Sequence, residues 1–243
     1  MSTEMRHINV IGIRIEIVKK PIKNLHLGVY PPNGRVRVAA PPAVKEDAVR
    51  LAVVTRLPWI RKRQAAFARQ ERQSARRYVS GESHFVFGRR YRLSVVSVTR
   101  APGVAITNAR TITLCSKPRS TQEQREKVML GWYRKILRDA ARSLIETWAG
   151  RIGIDQPQWG IRRMKTKWGS CSTKAKRIWL NLELAKKPPQ CLEYIIVHEL
   201  SHLIERKHND RFLRLMDRHL PEWRTIRDEL NAAPLSHEEW YRA

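Results

Sequence analysis

His198-Glu199-Leu200-Ser201-His202 sets two imidazoles four residues apart with a carboxylate beside the first. Residues four apart stack on one face of a helix. The segment around them, Leu192 to Ile204, is apolar and helix-like. Two imidazoles on one face can grip one metal ion, as a tetrahedral Zn²⁺ requires. Glu199 then stands where it can take a proton from a water that the metal activates. A lone H-E-x-x-H also arises by chance, and most isolated histidines bind nothing. Here the motif falls where helical periodicity wants it, and His208 follows six residues after His202. His208 is too far along for the same face, but a turn after Ile204 could bring it back as a third ligand. Glu222 and Glu229 are the rival third ligands. Three protein ligands leave one coordination position open, the catalytic rather than the structural arrangement.

Several elements must position such a site. Residues 8–40 alternate as strands, with Ile11, Ile13, Ile15 and Ile17 on one face and a hairpin signal at Pro31-Pro32-Asn33-Gly34. Residues 43–77 read as helical and basic, with Pro58 starting a second helix or kinking the first. A second strand-rich section follows, from Phe85 to Leu114. Thr121 caps a long helix over 122–149, ended by Gly150, whose buried stripe is Met129, Trp132, Ile136, Ala140, Leu144 and Trp148. Trp159 to Met164 and Arg177 to Leu184 read as strands around a compact loop, Lys165 to Ser172, and the motif helix runs from Gln190 to about Arg206. Asn209 caps the next helix, and Trp223, Ile226 and Leu230 suggest a last one. A strand beside a metal helix can hold an extended peptide by β-augmentation, and Arg177–Leu184 is the expected wall of the cleft. No internal repeat is visible. The fold class expected is α+β: a β-rich part over 1–120, then a zincin-like core over 121–243 in which the metal helix packs beside a small sheet.

Bulk composition bounds the function. The chain has 243 residues and is 42% hydrophobic, enough for one large or two small cores. No apolar run approaches the roughly 20 residues of a membrane span, and no secretory signal pattern opens the chain. Cys115, Cys171 and Cys191 are odd in number and far apart, which excludes a disulfide framework and points to the cytoplasm. Lys+Arg number 48 against 22 Asp+Glu, a net charge of +26. Such an excess attracts polyanions, so a nucleic acid or nucleotide is a candidate partner. The densest run is Arg61-Lys62-Arg63, continuing through Arg69, Arg72, Arg76 and Arg77. Charge runs of this kind are ordinarily solvated helix faces, and no zinc finger, RNP or Walker A pattern accompanies this one.

Longer stretches resemble the YgjP-like (DUF45) metallopeptidase family. They are Met164-Lys165-Thr166-Lys167-Trp168-Gly169-Ser170-Cys171-Ser172, Ile178-Trp179-Leu180-Asn181-Leu182, Tyr194 to Leu203 with His208 and Phe212, and Leu220-Pro221-Glu222-Trp223. Pro41-Pro42, Trp59-Ile60-Arg61-Lys62 and Phe87-Gly88-Arg89-Arg90-Tyr91-Arg92-Leu93 extend the likeness toward the N-terminus. The resemblance implies that His198, His202 and His208 hold Zn²⁺ and that Glu199 is the catalytic acid/base. The family core also resembles the SprT and WLM proteases, which act on DNA-associated proteins, and this suits a basic chain. Some family members are instead assigned hydrolysis of nucleoside triphosphates, UTP in particular. The chain departs from the metzincins, because no glycine stands between His202 and His208.

Two enzyme readings therefore stand: a zinc peptidase acting on a peptide or protein, and a nucleotide pyrophosphatase. A non-enzymatic nucleic-acid binder with a structural metal is the third. Lys165, Lys167, Ser170 and Asn181 are candidate substrate-binding groups, and Trp168 a candidate cleft wall; solvation and packing are the plain alternatives for each. Cys171 is a fourth ligand or an inert buried thiol.

Overall fold

The computed structural model describes residues 5–30, 33–69, 76–164 and 167–232. The chain forms two compact units that part at Ala75/Arg76.

The first unit holds β1 (Met5–Val10), β2 (Ile13–Lys19), β3 (His26–Tyr30) and β4 (Arg35–Ala40) in one sheet of order β1-β2-β4-β3. Ile11 and Gly12 both have positive φ, 49° and 77°, and make the two-residue turn whose twist suits a hairpin. Ile11 therefore lies in that turn, 57% exposed, while Ile15 and Ile17 enter the core as the alternation predicts. Tyr30 pairs with Arg35, so the expected hairpin forms, although Pro31 and Pro32 lie outside the described residues. Helices α1 (Glu46–Thr55) and α2 (Leu57–Arg69) follow, broken at Arg56, with Pro58 in the first turn of the second. Val49, Val53 and Ile60 pack with Ile15, Ile17, Val36 and Val38. Arg72 lies outside the described residues.

The second unit opens with β5 (Ser83–Val86), β6 (Arg89–Ser97), β7 (Gly103–Asn108) and β8 (Thr111–Ser116), in the order β5-β6-β8-β7. This repeats the topology of the first sheet: each has a parallel central pair, β2 with β4 and β6 with β8, and antiparallel outer pairs. A structural repeat thus exists where no sequence repeat was expected. Alternating apolar positions suffice to build such a sheet, whatever the residues between them. The β5–β8 sheet, read from the sequence with the N-terminal part, shares one core with the helices that follow it.

Helix α3 (Gln122–Ile152) starts in a capping box. Thr121 accepts from the Gln124 amide at 3.2 Å, and the Gln124 side chain accepts from the Thr121 amide at 2.9 Å. It ends at Gly153, φ 78°, three residues beyond the expected stop at Gly150. Its buried line is Met129, Tyr133, Leu137, Ala141, Ile145 and Trp148. Trp132, Ile136, Ala140 and Leu144, the expected stripe, flank that line half-buried. The two stripes lie one residue apart, about 100° around the helix, and both are apolar.

Three strands then form a small sheet: β9 (Gln158–Arg162), β10 (Gly169–Ser172) and β11 (Arg177–Asn181), in the order β10-β11-β9. β11 is the central strand, antiparallel to β10 and parallel to β9. It cannot accept an added strand, so the cleft wall expected at Arg177–Leu184 is corrected: among the described residues the free edges belong to β10 and β9. The strand also stops at Asn181. The Asn181 side chain accepts from the Glu183 amide at 3.2 Å and turns residues Leu182–Lys186 into a 3-10 helix. Leu182 and Leu184 are buried all the same. Helices α4 (Pro189–Ser201), α5 (Asp210–His219) and α6 (Trp223–Ala232) complete the unit. The architecture is α+β. Among the described residues no helix is long and apolar enough to cross a membrane.

Candidate metal centre

Helix α4 begins at Pro189, where the fixed φ of proline suits a first helical position. Nearly every residue from Cys191 onward is buried, so it is the central helix of its unit. Trp148 of α3 donates its indole N–H to Glu193 at 2.9 Å and fixes the helix laterally. The helix ends at Ser201, five residues before the expected end, and His202 is its cap. The carbonyl of Ser201 accepts from the amides of Ile204 at 3.1 Å and Glu205 at 2.9 Å. The Glu205 carboxylate accepts from the Lys207 amide at 3.1 Å, and Asn209 caps α5 by accepting from the Phe212 amide at 3.1 Å. These local bonds turn the chain so that His208 returns toward α4.

The result is a cluster of three imidazoles. One ligand atom from each of His198, His202 and His208 lies within 4.8 Å of the others. Nε2 of His198 and Nε2 of His208 are 3.1 Å apart. Glu229 accepts instead from Gln190 at 3.2 Å, and neither it nor Glu222 joins the cluster. Phe212 packs its ring against all three histidines at centroid distances of 4.7–5.0 Å. In the sequence Phe212 stands out only through the family resemblance; its place four residues after His208, one turn along, is the signal for its packing role at the cluster.

A zinc ion fits this arrangement. Bonds of about 2.05 Å in a tetrahedron put neighbouring ligand atoms about 3.3 Å apart, close to the 3.1 Å observed. Nδ1 of His202 lies 3.1 Å from the Glu205 carbonyl, which can only accept, so that nitrogen carries the proton and Nε2 keeps its lone pair. Burial, with His202 and His208 adding to it, pushes His198 down to about 3, and burial also lowers His202. Both are neutral at pH 7, as ligands must be.

Glu199 is 5% exposed and is pushed up to about 8 by burial, with the charge of Lys167 pulling the other way. A bound dication would bring it down again. Its carboxylate lies against β10 at Gly169, where an added Cβ would meet Oε1 at 2.5 Å. Only a glycine permits that approach.

The other candidates divide. Lys165 lies outside the described residues. Lys167 is exposed, and its charge reaches Glu199. Trp168 is half-buried against the core, with the Lys187 ammonium 5.4 Å from its ring centroid. Ser170 alternates with Gly169 and Cys171 on β10 and so occupies the opposite face from Glu199. The Asn181 amide is saturated by backbone. It donates to the carbonyls of Met164 at 2.9 Å and Lys167 at 2.8 Å, and accepts from the amides of Met164 and Glu183. Cys171 stands outside the imidazole cluster, and burial with the Glu199 charge pushes its thiol up to about 11.

The model of the YgjP-like metallopeptidase domain matches residues 23–233. The chain belongs to the YgjP-like family. Metallopeptidase chemistry at a divalent metal is what membership in this family carries. Among solved structures the YgjP-like chain is similar to the metallopeptidase zymogen of Pyrococcus abyssi abylysin: 26% identity over 37% of this chain and 90% of that one, TM-score 0.35. It is similar also to the zymogen of Methanocaldococcus jannaschii jannalysin: 24% identity over 37% of this chain and 92% of that one, TM-score 0.34. No curated protein matches the chain.

Proposed function

We propose that this chain is a zinc-dependent peptidase in which His198, His202 and His208 hold the metal and Glu199 moves the proton. The convergence of three imidazoles beside one buried carboxylate carries the reading. Imidazole ligands favour zinc over magnesium or calcium. Bound there, zinc supplies Lewis acidity, which polarises a peptide carbonyl and acidifies water. Glu199 accepts the proton of the attacking water and passes it to the amine that leaves. Because Glu199 is buried against Gly169, its carboxylate is held in one place rather than swinging in solvent. Lys167, whose charge reaches Glu199, steadies the negative charge that develops. Trp168 walls the cleft.

The substrate lies extended along β10. That strand is paired on one side only among the described residues, and its inner face meets α4 at Glu199. Main-chain bonds to a strand edge hold any sequence, so an unstructured protein segment is the natural substrate.

The test is zinc content beside cleavage of an unstructured protein. Wild type carries about one zinc and cleaves. Glu199→Gln keeps the zinc and loses about 100-fold or more in rate, while His202→Ala loses the zinc. No zinc uptake by wild type refutes the proposal. Phosphate release from UTP without peptide cleavage moves the same site to nucleotide hydrolysis.

A further inference from the structure

The β9–β11 sheet has a second face. Ile178 and Leu180 point into the core, and Gly169 meets α4. Alternation therefore puts Trp179 of β11 outward, beside Gly160 of β9 and Ser170 of β10. The indole lies across Gly160, where a Cβ would come 2.5 Å from Cζ3 of the ring. Glycine at that register position is what lets the ring lie down on the sheet.

Two guanidinium groups attend this ring. The Arg162 carbon is 3.4 Å from its centroid and the Arg177 carbon 5.9 Å. Both arginines are exposed. Neither has a carboxylate partner among the described residues: Arg177 donates to the neutral side chain of Gln158 at 3.0 Å, and the indole is what Arg162 meets. The neighbouring Arg163, by contrast, is paired with Glu126 at 3.6 Å. The β10–β11 hairpin adds Lys174 at the Arg177 end of the sheet. Two like charges held over one half-exposed indole repel each other, and an anion between them removes that repulsion.

We infer that this face binds single-stranded nucleic acid, with bases stacked on the Trp179–Arg162 pair and phosphates met by Arg162 and Arg177. A sheet face with an aromatic ring and arginines that lack a carboxylate partner among the described residues suits unstacked bases, which offer a π-face of any sequence. A duplex hides those faces. An acidic peptide would satisfy the arginines and leave the indole unused. The net charge of +26 steers a polyanion to the chain. The site lies on the opposite face of the sheet from Glu199 and does not depend on the hydrolase reading.

The probe is a fluorescein-labelled oligothymidylate, with a duplex of equal length and an oligoglutamate as competitors, titrated against the full chain at several salt concentrations. Trp179→Ala weakens single-strand binding about 10-fold or more, and Trp179→Phe restores most of it. The Arg162→Ala/Arg177→Ala pair flattens the slope of log affinity against log salt by about 1.4, two phosphates at 0.7 each. Glu199→Gln binds as wild type does, so hydrolysis and binding fail separately. Circular dichroism checks that each variant is folded, and the two surface arginines test the idea should Trp179→Ala not fold. Unchanged affinity in the arginine pair overturns the inference. So does preference for the duplex or for oligoglutamate, or binding that disappears only with Arg61, Lys62 and Arg63 of α2 changed to alanine.

Discussion

Gly169→Ala is the sharpest probe of how β10 and α4 build the site. The new methyl would lie 2.5 Å from Oε1 and 2.8 Å from Cγ of Glu199, and 2.8 Å from Cγ2 of Ile195. Unstrained carbon contacts begin near 3.5 Å, so the deficit is about 0.7 Å on two sides at once. Glu199 alone cannot relieve it, because Ile195 stands one turn earlier on the same helix and is itself buried. Either β10 moves off α4 or the carboxylate swings away. Overpacking of this kind costs about 1–3 kcal/mol of stability, and a displacement near 1 Å at a reacting group costs about 100-fold in rate. The atoms nearest the new methyl belong to Glu199 and Ile195 and not to the three histidines, so zinc content stays at the wild-type level. The assay is turnover of an unstructured protein by variant preparations matched for zinc, with urea unfolding alongside. Turnover within about threefold of wild type, in a folded and zinc-replete variant, would refute the idea that Gly169 sets the position of Glu199.

Two further outcomes follow from buried polar groups away from the metal. His84 is 3% exposed and bonded to Glu82 at 3.3 Å. Burial, with Arg76 and Lys186 adding, pushes it down to about 4 against the pull of Glu82. A histidine with a depressed folded value is protonated more readily in the unfolded chain. Stability is therefore full above about pH 6.5 and falls as pH drops toward 4, by about 3 kcal/mol. Urea unfolding at pH 7 and pH 4 should show that extra loss in wild type and not in His84→Gln; equal losses would refute it. Asn181→Leu strips hydrogen bonds from four backbone groups, two of Met164 and one each of Lys167 and Glu183. It should cost about 2–4 kcal/mol, measured by urea unfolding, and an unchanged midpoint would show that those groups find other partners.

The parts of the fold legible in the sequence are those set by short-range periodicity. The i, i+4 spacing of His198 and His202 needs only a helix, and the helix is there. The alternation at Ile15 and Ile17, and at Ile178 and Leu180, needs only a strand with one buried face. Strand order is different, because it depends on partners distant in the chain. Residues 159–164 read as a strand, and β9 forms over 158–162, but its parallel pairing along the second edge of β11 is set by the fold rather than by its own residues. Nothing within 177–184 announces that β11 is flanked on both sides. The stripe expected on α3 holds at Met129 and Trp148 and misses between them for another reason. Trp132, Ile136, Ala140 and Leu144 are as apolar as the line beside them, and only the packing of the unit decides which of the two points inward.

The third imidazole shows how far local chemistry alone can reach. Had α4 continued, His208 would lie ten residues beyond His198, about 15 Å along the axis and about 280° around it. It reaches the other two only because the helix stops at Ser201. Periodicity favours continuation there, since Leu203 and Ile204 are apolar. The stop is written instead in side chains that bond to nearby backbone: Glu205 to the Lys207 amide, Asn209 to the Phe212 amide, and His202 to the Glu205 carbonyl. That last bond does two things at once. It closes the turn that returns His208, and it fixes the His202 proton on Nδ1 so that the Nε2 lone pair is left for a metal. The turn and the tautomer are one feature, and a proline or a long insertion between residues 203 and 207 would remove both together.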